Sequence, residues 1–206
     1  MLPIVYQDSR VLVLDKPSGL LAVPGRGTEL QDCLSSRVQA EFAAALVIHR
    51  LDRDTSGLML MALDLDAQRA ISRQFELRTV SKRYIAVVNG EPADDSGVIE
   101  LPMRKDFDHP PRHMIDPVQG RSAETHWRVV QRSGDRTRLE IEPRTGRSHQ
   151  IRLHLATIGL PILGDNLYAD ETARAMSPRL LLHAEQLAID HPDDGRRVSW
   201  RVPCPF

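Results

Sequence analysis

The chain has 206 residues, of which 41% are hydrophobic, which is enough to bury one substantial core. We expect a single domain over residues 1–206, which could divide into two lobes sharing one long sheet. Apolar runs such as Leu58–Leu63 are far below the ~20 residues that a bilayer span needs, and no signal peptide follows Met1, so we expect a cytoplasmic protein with no membrane partner. Two isolated cysteines and a net charge of −1 indicate neither a disulfide framework nor a thiolate metal site nor, by themselves, a nucleic-acid partner.

Hydrophobic spacing and turn residues predict strands along most of the chain, interrupted by three helices. The predicted elements are, in chain order, a hairpin of Ile4–Tyr6 and Val11–Leu14, a helix from Thr28 to about Phe42, strands at Leu46–Leu51 and Gly57–Leu63, a helix capped by Asp64, strands at Lys82–Val88 and Gly97–Met103, a pair of strands at Glu124–Val130 and Thr137–Glu142, a helix after Ser148, and strands at Leu180–Ile189 and Arg197–Val202. The proline-containing stretch 104–120 is expected to form a long irregular loop. Because strands outnumber helices without regular alternation, the fold class is α+β, with a mixed, mostly antiparallel sheet and flanking helices and loops.

The stretch from Pro143 to Gly164 is basic and includes the helix after Ser148. It holds three arginines and two histidines but no acidic residue. Such a local surface can contact phosphates even when the total charge is near neutral, although a solvated helix face is an alternative reading. Helical spacing places Ile151 and Leu155 on the buried face, so Arg152 is expected to point away from the core.

The run His49-Arg50-Leu51-Asp52-Arg53-Asp54-Thr55-Ser56-Gly57 lies between two predicted strands. If it is extended, Asp52 and Asp54 face the same side at roughly 6.6 Å, which overlaps the roughly 6.5–9.5 Å carboxylate separation of inverting glycosidases. If it turns, Asp54 simply satisfies backbone donors. The spacing therefore leaves both acids open, and a nucleosidase or glycosidase that uses Asp52 and Asp54 is one hypothesis.

Several ordered motifs extend over nearly the whole chain. They are Lys16-Pro17-Ser18-Gly19-Leu20, His49-Arg50-Leu51-Asp52 with Thr55-Ser56-Gly57-Leu58, Lys82-Arg83-Tyr84, Gly146-Arg147-Ser148-His149-Gln150-Ile151-Arg152 with His154, Pro161-Ile162 with Gly164-Asp165 and Tyr168, and Leu181-Leu182-His183-Ala184. Together they resemble the RluA family of pseudouridine synthases, above all its members that act on both 23S ribosomal RNA and the anticodon stem-loop of certain tRNAs. The resemblance implies the catalytic fold of that family and an isomerase that converts uridine to pseudouridine in structured RNA.

The resemblance also implies roles for individual residues. Asp52 is the catalytic aspartate, Tyr84 stacks on the target base, and Arg152 keeps Asp52 ionised. Because the reacting atoms of a stacked base are hidden, the nucleotide must be flipped out, and Arg50 is placed to occupy the vacated position. Leu182 helps to seal the pocket around the detached uracil. Without the resemblance, Arg152 would be an exposed helix arginine, Tyr84 a half-buried strand tyrosine and Arg50 a salt-bridge partner.

Substrate binding is further assigned, by resemblance, to Arg147 and His149. The histidines are not expected to hold a metal, because His149 and His154 are five residues apart rather than four and no cysteine joins them. We assign them to hydrogen bonds within the fold. Gly25-Arg26-Gly27 lacks the lysine and the length of a P-loop, so no nucleotide triphosphate is expected. The isomerisation breaks and re-forms one glycosidic bond, and we expect it to need no metal or organic cofactor.

The catalytic pattern begins almost at Met1, so we expect no S4 RNA-binding domain. Substrate capture would then depend on the catalytic domain, which we expect to be a monomer. Besides the pseudouridine synthase favoured by the motifs and the glycosidase suggested by spacing, a non-catalytic RNA-binding module is the third hypothesis.

Overall fold

The computed structural model describes residues 2–206 and divides into two compact units. Unit 1 contains the residues up to Lys82 together with His183–Phe206, and unit 2 is the continuous segment Arg83–Leu182. A single domain over residues 1–206 stays a prediction. None of the described helices is long and apolar enough to cross a membrane.

Short strands dominate the described residues, as the sequence indicates. The strands are β1 (Ile4–Gln7), β2 (Val11–Lys16), β3 (Leu46–Val47), β4 (Ser56–Ala62), β5 (Ser81–Asn89), β6 (Ser96–Ile99), β7 (Met103–Lys105), β8 (His113–Ile115), β9 (Thr125–Ser133), β10 (Arg136–Pro143), β11 (Leu182–Asp190) and β12 (Arg197–Arg201). The helices are α1 (Leu34–Glu41), α2 (Leu65–Leu77), α3 (Gln150–Thr157) and α4 (Glu171–Ala175), with a 3-10 turn at Thr28–Leu30.

Unit 1 is built around β2 and β4, which pair antiparallel and are almost entirely buried. Strand β1 pairs antiparallel with β2, and β3 with β4, whereas β11 runs parallel to β4 and antiparallel to β12. Because side chains alternate along a strand, Val13 belongs to a core cluster with Ile71 of α2. Leu12, on the opposite face, belongs to a second cluster with Leu34 of α1. Burial on both faces explains why β4 is apolar from Leu58 to Ala62.

Unit 2 has an antiparallel sheet in the order β5-β10-β9-β6 and a separate hairpin of β7 and β8. Ile151 and Leu155 of α3 belong to the main core cluster of this unit, as their helical spacing predicts. A smaller cluster, which includes Met103, Leu153 and Tyr168, packs the β7–β8 hairpin against α3. Helix α3 is therefore held between the sheet and the hairpin.

Expectations that rest on neighbouring residues are confirmed. Asp64 caps α2 by accepting the N–H groups of Asp66 and Ala67, each at 2.9 Å. Strands β9 and β10 pair across the turn at Gly134, and β1 and β2 form the expected hairpin. The α+β class with a mixed sheet and few helices is likewise confirmed.

Other expectations are wrong because distant segments meet. The first α-helix begins at Leu34 rather than Thr28, since Cys33 is held extended by a bridge to Leu21 and becomes the N-cap. Residues 104–120 are not wholly irregular, because they contain most of the β7–β8 hairpin. Helix α4 has no counterpart among the expected elements.

Gly57 tests how closely β4 and β11 approach. It has a φ of +110°, and a Cβ there would clash with the main-chain oxygen of Ala184 and lie 2.6 Å from its nitrogen. We expect Gly57→Ala to lower the free energy of unfolding by at least about 3 kcal/mol, from backbone strain and overpacking together. Gly134→Ala is the matched control: its φ is +63° with open space around it, and we expect a loss of only about 1 kcal/mol. Urea unfolding measures both, and equal losses would contradict the close approach.

Candidate active site

Asp52 opens a tight turn directly before β4. The N–H of Thr55 donates to the main-chain oxygen of Asp52 at 3.2 Å, which closes a four-residue turn. The strand expected at Leu46–Leu51 ends at Val47, so the chain reaches Asp52 as irregular structure. The side chain of Asp52 is partly exposed.

The turn corrects the argument from carboxylate spacing. An extended run was the premise for placing Asp52 and Asp54 on one side at glycosidase distance, and the residues between Asp52 and Thr55 are not extended. The main-chain oxygen of Asp54 accepts the hydroxyl of Ser18 at 2.7 Å. The glycosidase hypothesis thereby loses its geometric basis.

The backbone of this turn is fixed by the buried ammonium of Lys16. This side chain is 0% exposed and donates to the main-chain oxygens of Pro17, Leu20 and Arg53 at 2.9, 2.7 and 2.9 Å. The N–H of Gly19 donates to the same Arg53 oxygen at 2.9 Å. The loop after β2 and the turn that bears Asp52 are therefore one hydrogen-bonded structure.

His49 connects the irregular segment to both β4 and α2. Its Nε2 accepts the N–H of Leu60 at 3.0 Å, so the neutral imidazole carries its proton on Nδ1. The ring stacks on Phe75 with 4.9 Å between centroids. Burial, and to a smaller extent the charge of Lys82, lowers the pKa of His49 to about 4. This histidine serves the fold, as expected from the sequence.

In unit 2, Tyr84 and Leu182 share one apolar environment. Tyr84 lies on β5 opposite Ile141 of β10 and is half-buried against the main core cluster. Leu182 is a member of that cluster and is 3% exposed. The structure thus brings together these two of the expected site residues.

Arg152 is buried, not exposed on the helix surface. Its helical spacing predicts a side chain that points away from the core, but the side chain is only 3% exposed. Asp165 accepts hydrogen bonds from Nε at 2.8 Å and from Nη2 at 2.6 Å. This bidentate pair satisfies a cation whose removal from water would otherwise cost several kcal/mol. Asp165 stands in one of the ordered motifs, but its spacing from Arg152 in the sequence does not indicate that the two side chains pair.

The start of α3 is shaped by the side chain of Gln150. Its oxygen accepts the hydroxyl of Thr145 at 2.7 Å and the N–H of Arg147 at 3.0 Å, and its amide donates to Glu124 and Thr125. His154 extends the network: its ring nitrogens lie 2.9 Å from the hydroxyl of Thr125 and the main-chain oxygen of Leu101. Burial lowers the pKa of His154, which favours the neutral ring. Gln150 and His154 therefore connect α3 to β9.

His149 and Arg147 are partly exposed and lie just before α3. His149 precedes the helix with a left-handed φ of 59°, and its Nδ1 is 2.9 Å from the hydroxyl of Tyr168. Arg147 donates from Nε to the main-chain oxygen of Ser122 at 3.2 Å.

The expected site residues are distributed over both units. Arg50 and Asp52 belong to unit 1, whereas Tyr84, Arg147, His149, Arg152 and Leu182 belong to unit 2. Pairing of Asp52 with Arg152 stays a prediction.

Lys16 gives a direct test of what fixes the turn. Lys16→Met keeps much of the side-chain volume but removes the hydrogen bonds to the main-chain oxygens of Pro17, Leu20 and Arg53, and we expect a loss of about 3 kcal/mol in the free energy of unfolding. Lys105→Met is the matched control, because Lys105 is exposed on β7 and should change stability by less than about 0.5 kcal/mol. Urea unfolding compares them, and a Lys16 variant as stable as the control would refute the assigned role.

The lowered pKa of His49 predicts a pH dependence of stability. Because its folded pKa of about 4 lies below its unfolded value, the unfolded chain takes up the proton first as the pH falls. The stabilisation is therefore complete above about pH 6.5 and is lost toward about pH 4, with an upper bound of about 3 kcal/mol. His49→Gln keeps an acceptor for Leu60 but does not titrate, so its unfolding free energy should fall less over this range. Since His154 titrates in the same direction, some slope remains; slopes equal to wild type would contradict the prediction.

Comparison with known proteins identifies the chain's relatives. Residues 10–157 match the sequence model of the family described as RNA pseudouridylate synthase. The dual-specificity RNA pseudouridine synthase RluA of Escherichia coli (strain K12) is 44% identical over 206 residues, which are 100% of this chain and 94% of that protein. The RluA of Yersinia pestis is 45% identical over 204 residues, covering 98% of this chain and 99% of the relative.

Solved structures agree with the sequence relatives. Human RNA Pseudouridylate Synthase Domain Containing 1 has a TM-score of 0.84 and 28% identity, covering 100% of this chain and 84% of that chain. Human RNA Pseudouridylate Synthase Domain Containing 4 has a TM-score of 0.77 and 25% identity, with 98% and 88% covered. The resemblance drawn from the motifs is confirmed, and the chain belongs to the RNA pseudouridylate synthases, isomerases of the RluA type.

Proposed function

We propose that Asp52 is the reactive carboxylate and that the target uridines lie in 23S ribosomal RNA and in the anticodon stem-loop of tRNA. The observation that carries the assignment is the turn at Asp52, where a partly exposed carboxylate sits on a backbone fixed by the buried Lys16. A rigid backbone of this kind suits a reactive carboxylate, which must meet the uridine in one orientation.

The reaction conserves every atom of the nucleotide. With participation of Asp52, the bond from ribose C1′ to uracil N1 breaks, the uracil turns in the pocket, and C5 joins C1′. The proton on C5 then leaves and N1 gains one, so the product has the mass of the substrate. Because the bond change is redox-neutral and internal, the proposed chemistry uses no metal, organic cofactor or nucleotide triphosphate.

Arg152 is proposed to hold Asp52 in its ionised form. The pairing with Asp165 supports this role, because it fixes the guanidinium by two hydrogen bonds in a buried position. An arginine anchored in this way needs no rearrangement before it contacts a second carboxylate.

Four further residues are proposed to handle the flipped nucleotide. Tyr84 stacks on the uracil and offers its hydroxyl for the proton at C5, while Leu182 contributes to the apolar wall. Arg50, which is exposed, occupies the position that the flipped base leaves. Arg147, at the start of α3, contacts the RNA backbone.

His149 is proposed as a further substrate contact. It lies beside Arg147 at the start of α3, within the basic stretch from Pro143 to Gly164. The dual-specificity name of relatives that match nearly the whole chain supports two kinds of RNA substrate. We propose that the enzyme acts as a monomer in the cytoplasm, where both kinds of RNA are present.

Asp52→Asn tests the proposal with Asp54→Asn as the matched control. Both changes remove one charge from the same turn at nearly constant volume. We expect the Asp52 variant to form pseudouridine at least about 100-fold more slowly than wild type, because it lacks the reactive carboxylate. The Asp54 variant should stay within about threefold of wild type.

The measurement is incubation with 23S ribosomal RNA and tRNA, followed by pseudouridine mapping and an assay for free uracil. Wild type should convert sites in both RNAs and release no uracil. Free uracil without pseudouridine would support a nucleosidase, and an Asp52 variant as active as the Asp54 variant would refute the assignment.

A further inference from the structure

Tyr168 is held firmly by its surroundings. It closes a turn in which one oxygen of Asp165 accepts the N–H groups of Leu167 at 2.8 Å and of Tyr168 at 3.1 Å. Its half-buried side chain packs in the small apolar cluster with Met103 and Leu153. The ring therefore has a defined place between α3 and the β7–β8 hairpin.

The ring of Tyr168 also supports Arg152. The guanidinium carbon lies 5.4 Å from the ring centroid, a distance typical of a cation–π contact. Asp165 pairs with the same guanidinium through two hydrogen bonds. The turn from Asp165 to Tyr168 thus contacts Arg152 by a carboxylate at one end and by an aromatic face at the other.

The hydroxyl of Tyr168 joins two other segments. It accepts the N–H of His113, the first residue of β8, at 2.8 Å, and lies 2.9 Å from Nδ1 of His149. A phenol can accept one hydrogen bond and donate another, so both contacts are satisfied at once when Nδ1 is unprotonated. His149 has a left-handed backbone, which persists only where neighbouring contacts fix it. One hydroxyl therefore ties the start of α3 to the hairpin.

The hairpin contacts the same ring through a second arginine. The guanidinium carbon of Arg112, an exposed residue just before β8, also lies 5.4 Å from the Tyr168 centroid. The ring is consequently shared by a buried arginine on α3 and an exposed arginine on the hairpin. A displacement of the hairpin would change the support beneath Arg152.

We propose that Tyr168 is a positioning residue for the isomerisation, which ties the place of Arg152 to that of the β7–β8 hairpin. The ring acts on Arg152 directly, and the hydroxyl acts by fixing the hairpin and the start of α3 around it. The inference rests on the proposed role of Arg152 toward Asp52.

Two substitutions separate the hydroxyl from the ring. Tyr168→Phe keeps the aromatic face and removes the hydrogen bonds to His113 and His149, and we expect a single-turnover rate about fivefold below wild type. Tyr168→Leu also removes the face beneath Arg152, and the rate should fall about 50-fold. The dissociation constant for the RNA that wild type modifies should change by less than about twofold in both. Tyr6→Phe, which removes an exposed hydroxyl bonded to Asp8 in unit 1, is the matched control and should keep the full rate.

A double-mutant cycle distinguishes positioning from general loss of structure. If Tyr168 acts through Arg152, Tyr168→Leu should slow the Arg152→Lys variant by far less than 50-fold, because the group it positions is already altered. Circular dichroism confirms that each variant is folded, and amide exchange at His113 should be faster in Tyr168→Phe.

The outcomes separate this inference from the proposed function. A Tyr168→Phe protein with the wild-type rate, or rate losses that multiply in the double variant, overturns the positioning role alone. Full activity of Arg152→Lys together with full activity of Asp52→Asn overturns the proposed function and the positioning role with it.

Discussion

A lysine ammonium removed from water is costly unless each of its three N–H donors finds an acceptor. Lys16 meets this condition with three main-chain oxygens, two from the loop that follows β2 and one from Arg53. These hydrogen bonds restrain the three oxygens as well as the ammonium. The conformation of the turn at Asp52 therefore depends on a residue that is 36 positions away in the sequence and has no access to solvent.

The buried cations of the two units donate hydrogen bonds to different kinds of acceptor. In unit 1 the ammonium of Lys16 donates to main-chain oxygens, whereas in unit 2 the guanidinium of Arg152 donates to the carboxylate of Asp165. The hydrogen bonds of Lys16 restrain the backbone of the turn. The pairing with Asp165 stabilises the charged side chain of Arg152 in a buried position.

The sequence predicts those features that are encoded within a few residues. The cap at Asp64, the β9–β10 turn at Gly134 and the apolar face of α3 depend on local spacing, and all three are confirmed. The motifs identify the family because they combine fold-forming residues with candidate site residues in a fixed order. They do not separate the two groups: Gln150 and His154, as conspicuous as Arg152, turn out to connect β9 to α3.

What the sequence does not reveal depends on contacts between distant segments. Helical spacing alone predicts that Arg152 is exposed. It does not reveal the partner Asp165, which lies 13 residues later in an irregular segment. The bridge from Cys33 to Leu21 delays the first α-helix, and the hydrogen bond from Thr55 to Asp52 removes the extended geometry assumed for the two acids. In each case a local preference is overridden by a tertiary interaction.

The parallel pairing of β4 with β11 has a consequence for how the protein is made. The two strands are separated by more than 100 residues, and all of unit 2 lies between them in the chain. Unit 2 is continuous and can fold as soon as it has left the ribosome, but unit 1 lacks a strand of its sheet until β11 has been translated. During synthesis, Ser56 and Gly57 of β4 therefore lack the strand with which they later pair, and a chain that terminates before β11 would keep this part of the edge open.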